Sequence, residues 1–192
     1  MKSDFIDFVT ELFPSISPYT KKQAKESMIQ FETEGRMLKY TMPSPLEHLA
    51  QGDIFGEEIP FIKQNNEGEL SAFKTKAILL SNTCDSERDD LLIFAALIPL
   101  SSLSGKSLET IKQNKLYRYL YIPDSIISDY VIDFSLLNSF SRELFNKKLE
   151  EKAFNKVLSL NDLGYYMFLC KLTIHLMRPE DTEVQSHRKE PA

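Results

Sequence analysis

The sequence predicts an α+β protein in which a small barrel or strongly bent sheet is flanked by helices. Two observations support this fold class. Residues 51–137 contain several short strand-like segments separated by turn residues, with no long helical pattern between them. Both ends of the chain instead have helical periodicity. We therefore expect three parts: a helical extension over residues 1–45, the main domain over 46–178 and a disordered tail over 179–192.

The extension has two predicted helices. Residues 4–13 place large apolar side chains at helical spacing, and residues 19–34 have a narrower apolar stripe that ends at Gly35. Pro14 and Pro18 separate the two helices, because proline interrupts helical hydrogen bonding.

The main domain is predicted to be a series of strands followed by one helix. The centre of KAILLS is apolar on both faces, which is typical of a strand covered on both sides. KLYRYLYIP alternates tyrosine with leucine and arginine, which indicates a strand with one aromatic face. Residues 162–177 are apolar on most sides, so we expect a helix buried against the sheet or a second subunit. In order, the predicted strands are DIF, EEIPFIK, AFKTKAILLS, LLIFAALIPL, KLYRYLYIP and YVIDFSLL.

Composition excludes several classes of protein. The 192 residues are 42% hydrophobic and 27% charged with a net charge of -5, so the chain lacks an overall basic footprint for nucleic acid. Two cysteines, Cys84 and Cys170, provide no disulfide framework, which favours a reducing, cytoplasmic location. No apolar run approaches the roughly 20 residues that span a bilayer, so we expect no membrane association. Paired zinc-ligand motifs and glycine-rich nucleotide loops are missing, so we expect no metal and no cofactor.

The loop SNTCD follows the apolar strand KAILLS and collects small polar groups. In the simplest interpretation, Asn82 and Thr83 bond their own backbone and Cys84 packs as a small apolar residue. Alternatively, Asn82 and Thr83 lie at a groove rim and donate to a phosphate or a base edge. A third interpretation makes Cys84 a nucleophile, which requires a base such as His48 or His175.

Two further positions have alternative interpretations. Arg118 lies in a basic and aromatic segment, residues 112–121, which can stack bases and hold phosphates or can form a strand with an aromatic core face. Asp53 follows Gly52, and this pair fits turn chemistry.

Four short motifs in order resemble the MazF/PemK family of toxin–antitoxin ribonucleases. They are GDI at 52–54, KAILLS at 76–81, IPLS at 98–101 and YVID at 130–133, and the resemblance extends over about residues 51–177. It implies an SH3-like barrel, a homodimer, a metal-independent endoribonuclease activity on single-stranded RNA and a protein partner such as an antitoxin. The apolar last helix also favours the homodimer.

The resemblance also implies site residues. Ser101 takes the place of the family's catalytic threonine or serine, and Thr75 stands where the family has its catalytic arginine. Lys76 replaces the adjacent proline, so Lys74 or Lys76 is expected to supply the positive charge towards phosphate. A lysine does so as a point charge, without the planar fork of an arginine.

By the same resemblance, Asp53 borders the groove. From their own patterns, Asn82 and Thr83 of the SNTCD loop and Arg118 of the basic segment are the other candidate binding residues. Three hypotheses follow. The first is an RNA-directed protein, either a ribonuclease or a relative that binds RNA without efficient cleavage, in a toxin–antitoxin or defence setting. The second is a protein-interaction module, which the acidic balance and the missing arginine favour. The third is an enzyme that depends on Cys84.

Overall fold

The protein is a mixed α+β structure, which confirms the predicted fold class. The computed structural model describes residues 22, 26, 39–103, 108–177 and 182–187. The strands are β1 (Ile54–Gln64), β2 (Leu70–Leu79), β3 (Leu91–Pro99), β4 (Tyr119–Leu120), β5 (Tyr130–Ser141) and β6 (Lys156–Leu158). The helices are α1 (Thr83–Ser86), α2 (Leu108–Lys112), α3 (Arg142–Glu150), α4 (Asp162–Met177) and α5 (Thr182–His187), and a 3-10 turn spans Leu100–Ser102.

The two ends of the chain are described in part. The helix predicted over residues 4–13 lies outside the described residues. The helix predicted over 19–34 is described at Lys22 and Glu26, which are both helical and whose charged groups lie 3.9 Å apart. Within the tail predicted to be disordered, α5 is helical, and Glu183 in its first turn complements the helix dipole.

The six strands form one antiparallel sheet in the order β4-β5-β3-β2-β1-β6. The segments DIF and EEIPFIK, predicted as separate strands, belong to the single strand β1. Its register against β2 shifts between Phe55 and Ile59, so the strand bends there without ending. Glu57 lies in this irregularity and projects from the bent part of the strand.

The sheet is curled tightly enough for distant strands to meet. Two strands separate β1 from β5 in the sheet order, yet the ring centroids of Phe61 and Phe140 lie 6.0 Å apart. Phe145 of α3 closes this interior, with its ring 5.1 Å from Phe55 and 4.7 Å from Phe94. The described parts of β4 and β6 do not pair with each other. The result is an open, strongly bent sheet around an aromatic core.

Helix α4 covers the opposite face of the sheet. On β2, Ala77 belongs to the aromatic core, whereas Ile78, and Leu80 just after the strand, belong to the buried cluster that includes Phe168 and Cys170 of α4. The prediction that this strand is covered on both faces is therefore confirmed. The helix is buried against its own sheet, which was one of the two predicted alternatives. Burial raises the pKa of the Cys170 thiol to about 12.

The prediction of a long strand over KLYRYLYIP is wrong. In the described structure only two of its residues, those of β4, pair with β5. Asn114 turns the chain with a φ of 55°. Its side-chain amide donates to the Tyr121 carbonyl oxygen at 2.9 Å and accepts from the Tyr121 N–H at 2.7 Å. Because the Tyr121 N–H and carbonyl oxygen both bond the Asn114 side chain, they do not pair with β5. The fully buried Lys171 of α4 donates to the carbonyl oxygens of Asn114 and Leu116, which ties this turn to the helix.

Candidate functional site

A groove opens where β2 separates from β3. In the described structure the two strands pair from Ala77 to Leu79 on the β2 side, and the rest of β2 continues beside β1 alone. Beyond the last pair, the hydroxyl of the buried Thr75 donates to the Leu97 carbonyl oxygen at 2.5 Å. This side-chain bond takes the place of a backbone bond at the point of separation. The space that opens has a volume of about 540 Å³.

The groove wall mixes charged, aromatic and aliphatic groups. Its charged groups come from β1, β2, the turn before β4, and β5, and its apolar groups from β2, the end of β3 and β5. The lining residues are Glu57, Lys63, Phe73, Lys74, Thr75, Ile98, Pro99, Ser102, Leu103, Arg118, Tyr130, Asp133 and Leu136. Lys74, Thr75 and Arg118 were all predicted from the sequence as binding residues, and the fold brings them to one groove.

Glu57, Lys76 and Tyr130 form a cluster at one side of the groove. Glu57 Oε1 accepts from Lys76 Nζ and from the Tyr130 hydroxyl, each at 2.8 Å. Lys76 Nζ also lies 4.0 Å from the centroid of the Tyr130 ring, which is a close cation–π contact. The bonds from Lys76 and Tyr130 lower the pKa of Glu57, and the bond to Glu57, with burial, raises the pKa of Tyr130. Lys76 therefore has two partners within the protein.

Arg118 and Asp133 form a second charged pair in the groove wall. Arg118 Nε lies 2.7 Å from Asp133 Oδ1, and a second guanidinium nitrogen lies 2.5 Å from Oδ2. Asp133 is buried, and its Oδ1 also accepts from the Ser135 N–H at 3.0 Å. The hydrogen bond to Asp133 raises the pKa of Arg118. The Arg118 side chain remains 44% exposed, so its outer edge still faces the groove.

Two lysines supply positive charge that is not neutralised locally. Lys74 on β2 is exposed, and it has no ion pair or hydrogen bond to another side chain among the described residues. Lys63 on β1 is also exposed, and its Nζ lies 5.6 Å from the centroid of the Phe73 ring. Both ammonium groups are free to meet an anion.

Ser101 lies beside the groove. It is exposed in the 3-10 turn that follows β3, and it does not line the groove wall. Its neighbour Ser102 does line the wall, and the Ser102 hydroxyl donates to the Pro99 carbonyl oxygen at 2.7 Å. The fold thus places the hydroxyl of Ser102, and not that of Ser101, at the surface of the groove.

Asp53 is buried, and it does not line the groove. Its Oδ2 accepts from the Ala50 N–H at 2.8 Å and from Lys156 Nζ at 3.0 Å, and its Oδ1 accepts from the Ser159 hydroxyl at 2.5 Å. Lys156 also donates to the His48 carbonyl oxygen. This network joins the turn before β1 to β6. Asp53 therefore fits the interpretation as a turn residue better than the interpretation as a residue of the groove rim.

The SNTCD loop also lies outside the groove wall. The Asn82 side chain accepts from the Cys84 N–H at 3.0 Å and caps α1, and the Thr83 hydroxyl accepts from the Gln51 N–H at 3.0 Å. The bond of Asn82 matches the interpretation in which the loop side chains bond their own backbone, whereas Thr83 bonds the backbone of a distant segment. The expectation that Cys84 packs as a small apolar residue is wrong, because its side chain is exposed. Cys84 is exposed, and in the described part of the chain no hydrogen bond joins it to His48 or His175. The geometry required of a cysteine nucleophile is missing there.

Only Lys74, Thr75 and Arg118 of the lining residues were predicted, and those that were missed include Glu57, Tyr130 and Asp133, together with Lys63 and Phe73. A sequence signal existed for Asp133, which is a charged residue within the otherwise apolar segment YVIDF. Glu57 stands beside another glutamate in a strand-like segment, and nothing in that pattern indicates which carboxylate faces a groove. Their association depends on the curl of the sheet, which brings β1 close to β5.

The described residues contain no group of three or more histidine, cysteine, aspartate or glutamate side chains that could hold a metal ion. None of the described helices is long and apolar enough to cross a membrane.

The fold and site thus define an α+β protein with a curled antiparallel sheet and a charged, aromatic groove. No protein-family model and no curated protein matches this chain. Among solved structures, one that is similar to this chain is the MazE-MazF complex (Form-II) from Deinococcus radiodurans, with a TM-score of 0.39 and 10% sequence identity. That similarity covers 68% of this chain and 97% of the other chain.

Proposed function

We propose that the protein binds single-stranded RNA in the groove between β2 and β3. The observation that supports this function is the convergence of Lys63, Lys74 and Arg118 with the rings of Phe73 and Tyr130 along one open groove. Cationic side chains that follow the backbone, together with aromatic rings on which bases stack, are the usual elements of single-strand recognition.

The balance of charge in the groove suits a polyanion despite the acidic chain. Asp133 is neutralised by Arg118, and Glu57 is neutralised by Lys76. Lys63 and Lys74 then provide the net positive charge at the groove surface. A local field of this kind attracts phosphates irrespective of the net charge of the whole protein.

Of the two forms of this hypothesis, we favour RNA binding without efficient cleavage. The expected catalytic pair was Ser101 and Lys76. Lys76 is engaged by Glu57 and Tyr130, and its side chain is 12% exposed, so it is poorly available to stabilise charge on a reacting phosphate. Ser101 lies outside the groove wall.

The test is fluorescence anisotropy with a labelled single-stranded RNA of mixed sequence, over a series of salt concentrations. Lys74→Ala and Lys63→Ala should each weaken binding and reduce the slope of log affinity against log salt by about 0.7, the value for one phosphate contact on a single strand. Lys147→Ala is the matched control, because Lys147 is an exposed lysine on α3 away from the groove. Equal effects of all three substitutions, or no binding by the wild type, would contradict the proposal.

The same RNA reports on cleavage. We expect it to remain intact on a denaturing gel after incubation with the wild-type protein. Specific cleavage that is lost in both Lys76→Ala and Ser101→Ala would replace the binding proposal with the ribonuclease one.

An extended peptide is the second candidate ligand, because the outer part of β2 pairs with β1 alone in the described structure. The β2 edge that faces the groove therefore offers backbone groups for strand addition. A partner protein such as an antitoxin would bind in this way. Binding that is insensitive to salt and to Lys74→Ala would favour the peptide over RNA.

We also propose a homodimer. Leu176 and Met177 at the end of α4 are 61% and 60% exposed, which leaves apolar surface at the end of the helix for a second copy. Light scattering after size-exclusion chromatography measures the mass directly, and a monomeric mass at high protein concentration would reject the dimer.

A further inference from the structure

Glu57 is an anion in a groove that we propose to bind a polyanion, and its geometry suggests a reason. The Glu57 side chain is 60% exposed, yet Lys76 and Tyr130 both donate to its Oε1 and hold it in one orientation. In the described structure Oε2 accepts no hydrogen bond. The groove therefore presents one preorganised, unused acceptor oxygen beside an aromatic ring.

A carboxylate at this position repels phosphate and attracts hydrogen-bond donors. The donors that single-stranded RNA brings into a groove lie on the base edges. Guanine presents two adjacent donors, N1–H and the N2 amino group, on its Watson–Crick edge. Adenine and cytosine each present one amino group beside an acceptor, and uracil presents one N–H between two carbonyl oxygens.

We infer that Glu57 is a specificity-determining residue of the groove, which selects guanine over uracil by accepting hydrogen bonds from the base edge. This inference depends on the proposed RNA-binding function. Tyr130 orients the carboxylate through its hydroxyl and provides a ring beside it, and Lys76 donates to the same carboxylate oxygen. Lys63 and Lys74 hold the neighbouring phosphates and contribute no preference among bases.

The test compares the affinities of two short RNA oligomers, one of uridines only and one with a single central guanosine, measured by fluorescence anisotropy. The wild type should bind the guanosine oligomer about tenfold more tightly, because both adjacent donors of guanine can bond the free Oε2, whereas uracil offers it one donor. Glu57→Gln should reduce this ratio to nearly one, because the neutral amide presents a donor as well as an acceptor. Lys74→Ala should weaken both oligomers equally and leave the ratio unchanged.

Tyr130→Phe is a second variant that retains the ring and removes one of the two bonds that orient Glu57. It should reduce the guanosine preference to a value between those of the wild type and Glu57→Gln. A ratio that stays unchanged in both variants, while RNA still binds, overturns the role of Glu57 and leaves the RNA groove intact. Absence of RNA binding by the wild type overturns both proposals.

Discussion

Two carboxylates at the start of β1 have similar partners and opposite exposure. Asp53 accepts from Lys156 and from the Ser159 hydroxyl, and Glu57 accepts from Lys76 and from the Tyr130 hydroxyl. Asp53 is 1% exposed, and all its bonds connect segments of the fold. Glu57 is 60% exposed, and one of its oxygens faces the groove without a partner in the described structure.

The comparison separates the chemistry of a cluster from its role. A carboxylate, a lysine and a hydroxyl form a structural element where water is excluded, because each group then has no alternative partner. The same three groups remain available for a ligand where water still competes, because the ligand replaces water and not a protein partner. Burial, which the bulge in β1 changes within four residues, decides between the two roles.

The largest expected effect is a difference in the free energy of unfolding between variants of the two carboxylates. Asp53→Ala leaves Lys156 with the His48 carbonyl oxygen alone and Ser159 without its acceptor. It should lower the free energy of unfolding by roughly 3–5 kcal/mol, as for other broken buried pairs. Glu57→Ala should lower it much less, because ion pairs exposed to water contribute little to stability. Urea unfolding of both variants measures the difference, and equal losses would remove the distinction.

The Arg118–Asp133 pair is intermediate, since Asp133 is buried and Arg118 is partly exposed. Arg118→Ala leaves the Asp133 carboxylate with the Ser135 N–H and with water that enters the vacated space. The expected loss of stability is about 1–3 kcal/mol, the cost of an unsatisfied buried acceptor. Adding Asp133→Asn to the Arg118→Ala variant should recover part of the lost stability, because it removes the buried charge. Further destabilisation by the second substitution would contradict this account.

Titration of the Glu57 carboxyl group should detect its contacts with Lys76 and Tyr130. Because the Glu57 pKa is lowered in the folded state, the cluster stabilises the protein above the ordinary glutamate pKa, and this contribution is lost as pH falls through the depressed value. Lys76→Met should raise the Glu57 pKa towards its ordinary value, because the bond to Lys76 is the largest cause of the shift. Carboxyl NMR measures this change.

Tyr130 gives the reciprocal measurement. Its pKa is raised chiefly by the hydrogen bond to Glu57, so Glu57→Gln should lower the Tyr130 pKa towards that of an ordinary tyrosine. Tyrosine ring NMR across alkaline pH follows this residue. An unchanged value would mean that the bond is not formed in solution.

The smallest effect is expected at Ser101. It is exposed and lies outside the groove wall, so Ser101→Ala should change RNA affinity less than about twofold and stability by less than about 0.5 kcal/mol. Ser102→Ala is the matched comparison, because the Ser102 hydroxyl lines the groove and donates to Pro99. A larger loss of RNA affinity in Ser101→Ala than in Ser102→Ala would mean that Ser101 belongs to the binding site.

Local patterns predicted the elements with the strongest burial. The apolar centre of β2 and the apolar helix α4 were correct, because a segment with no polar face has to be covered wherever it lies. The alternation in KLYRYLYIP was misleading. It resembles the alternation of a strand. The side chains of Asn114 and the buried Lys171 bond the backbone there instead, and an alternating sequence pattern does not predict either bond.

The candidate site was predicted in part. Lys74, Thr75 and Arg118 line the groove, whereas Asp53, Asn82 and Thr83 satisfy nearby backbone groups. The polar residues of a turn have the same composition whether they bond the chain or a ligand, so sequence could not separate these uses.

The sequence by itself determined the fold class, the strand with two covered faces and the buried final helix, because hydrophobic periodicity is a local property of the chain. Only the tertiary structure decided which charges are neutralised. The curl of the sheet brings Glu57 of β1 to Tyr130 of β5, and the pairing of β4 with β5 brings Arg118 to Asp133. These partners are 73 and 15 residues apart, and their association depends on strand register and twist, which no local pattern specifies.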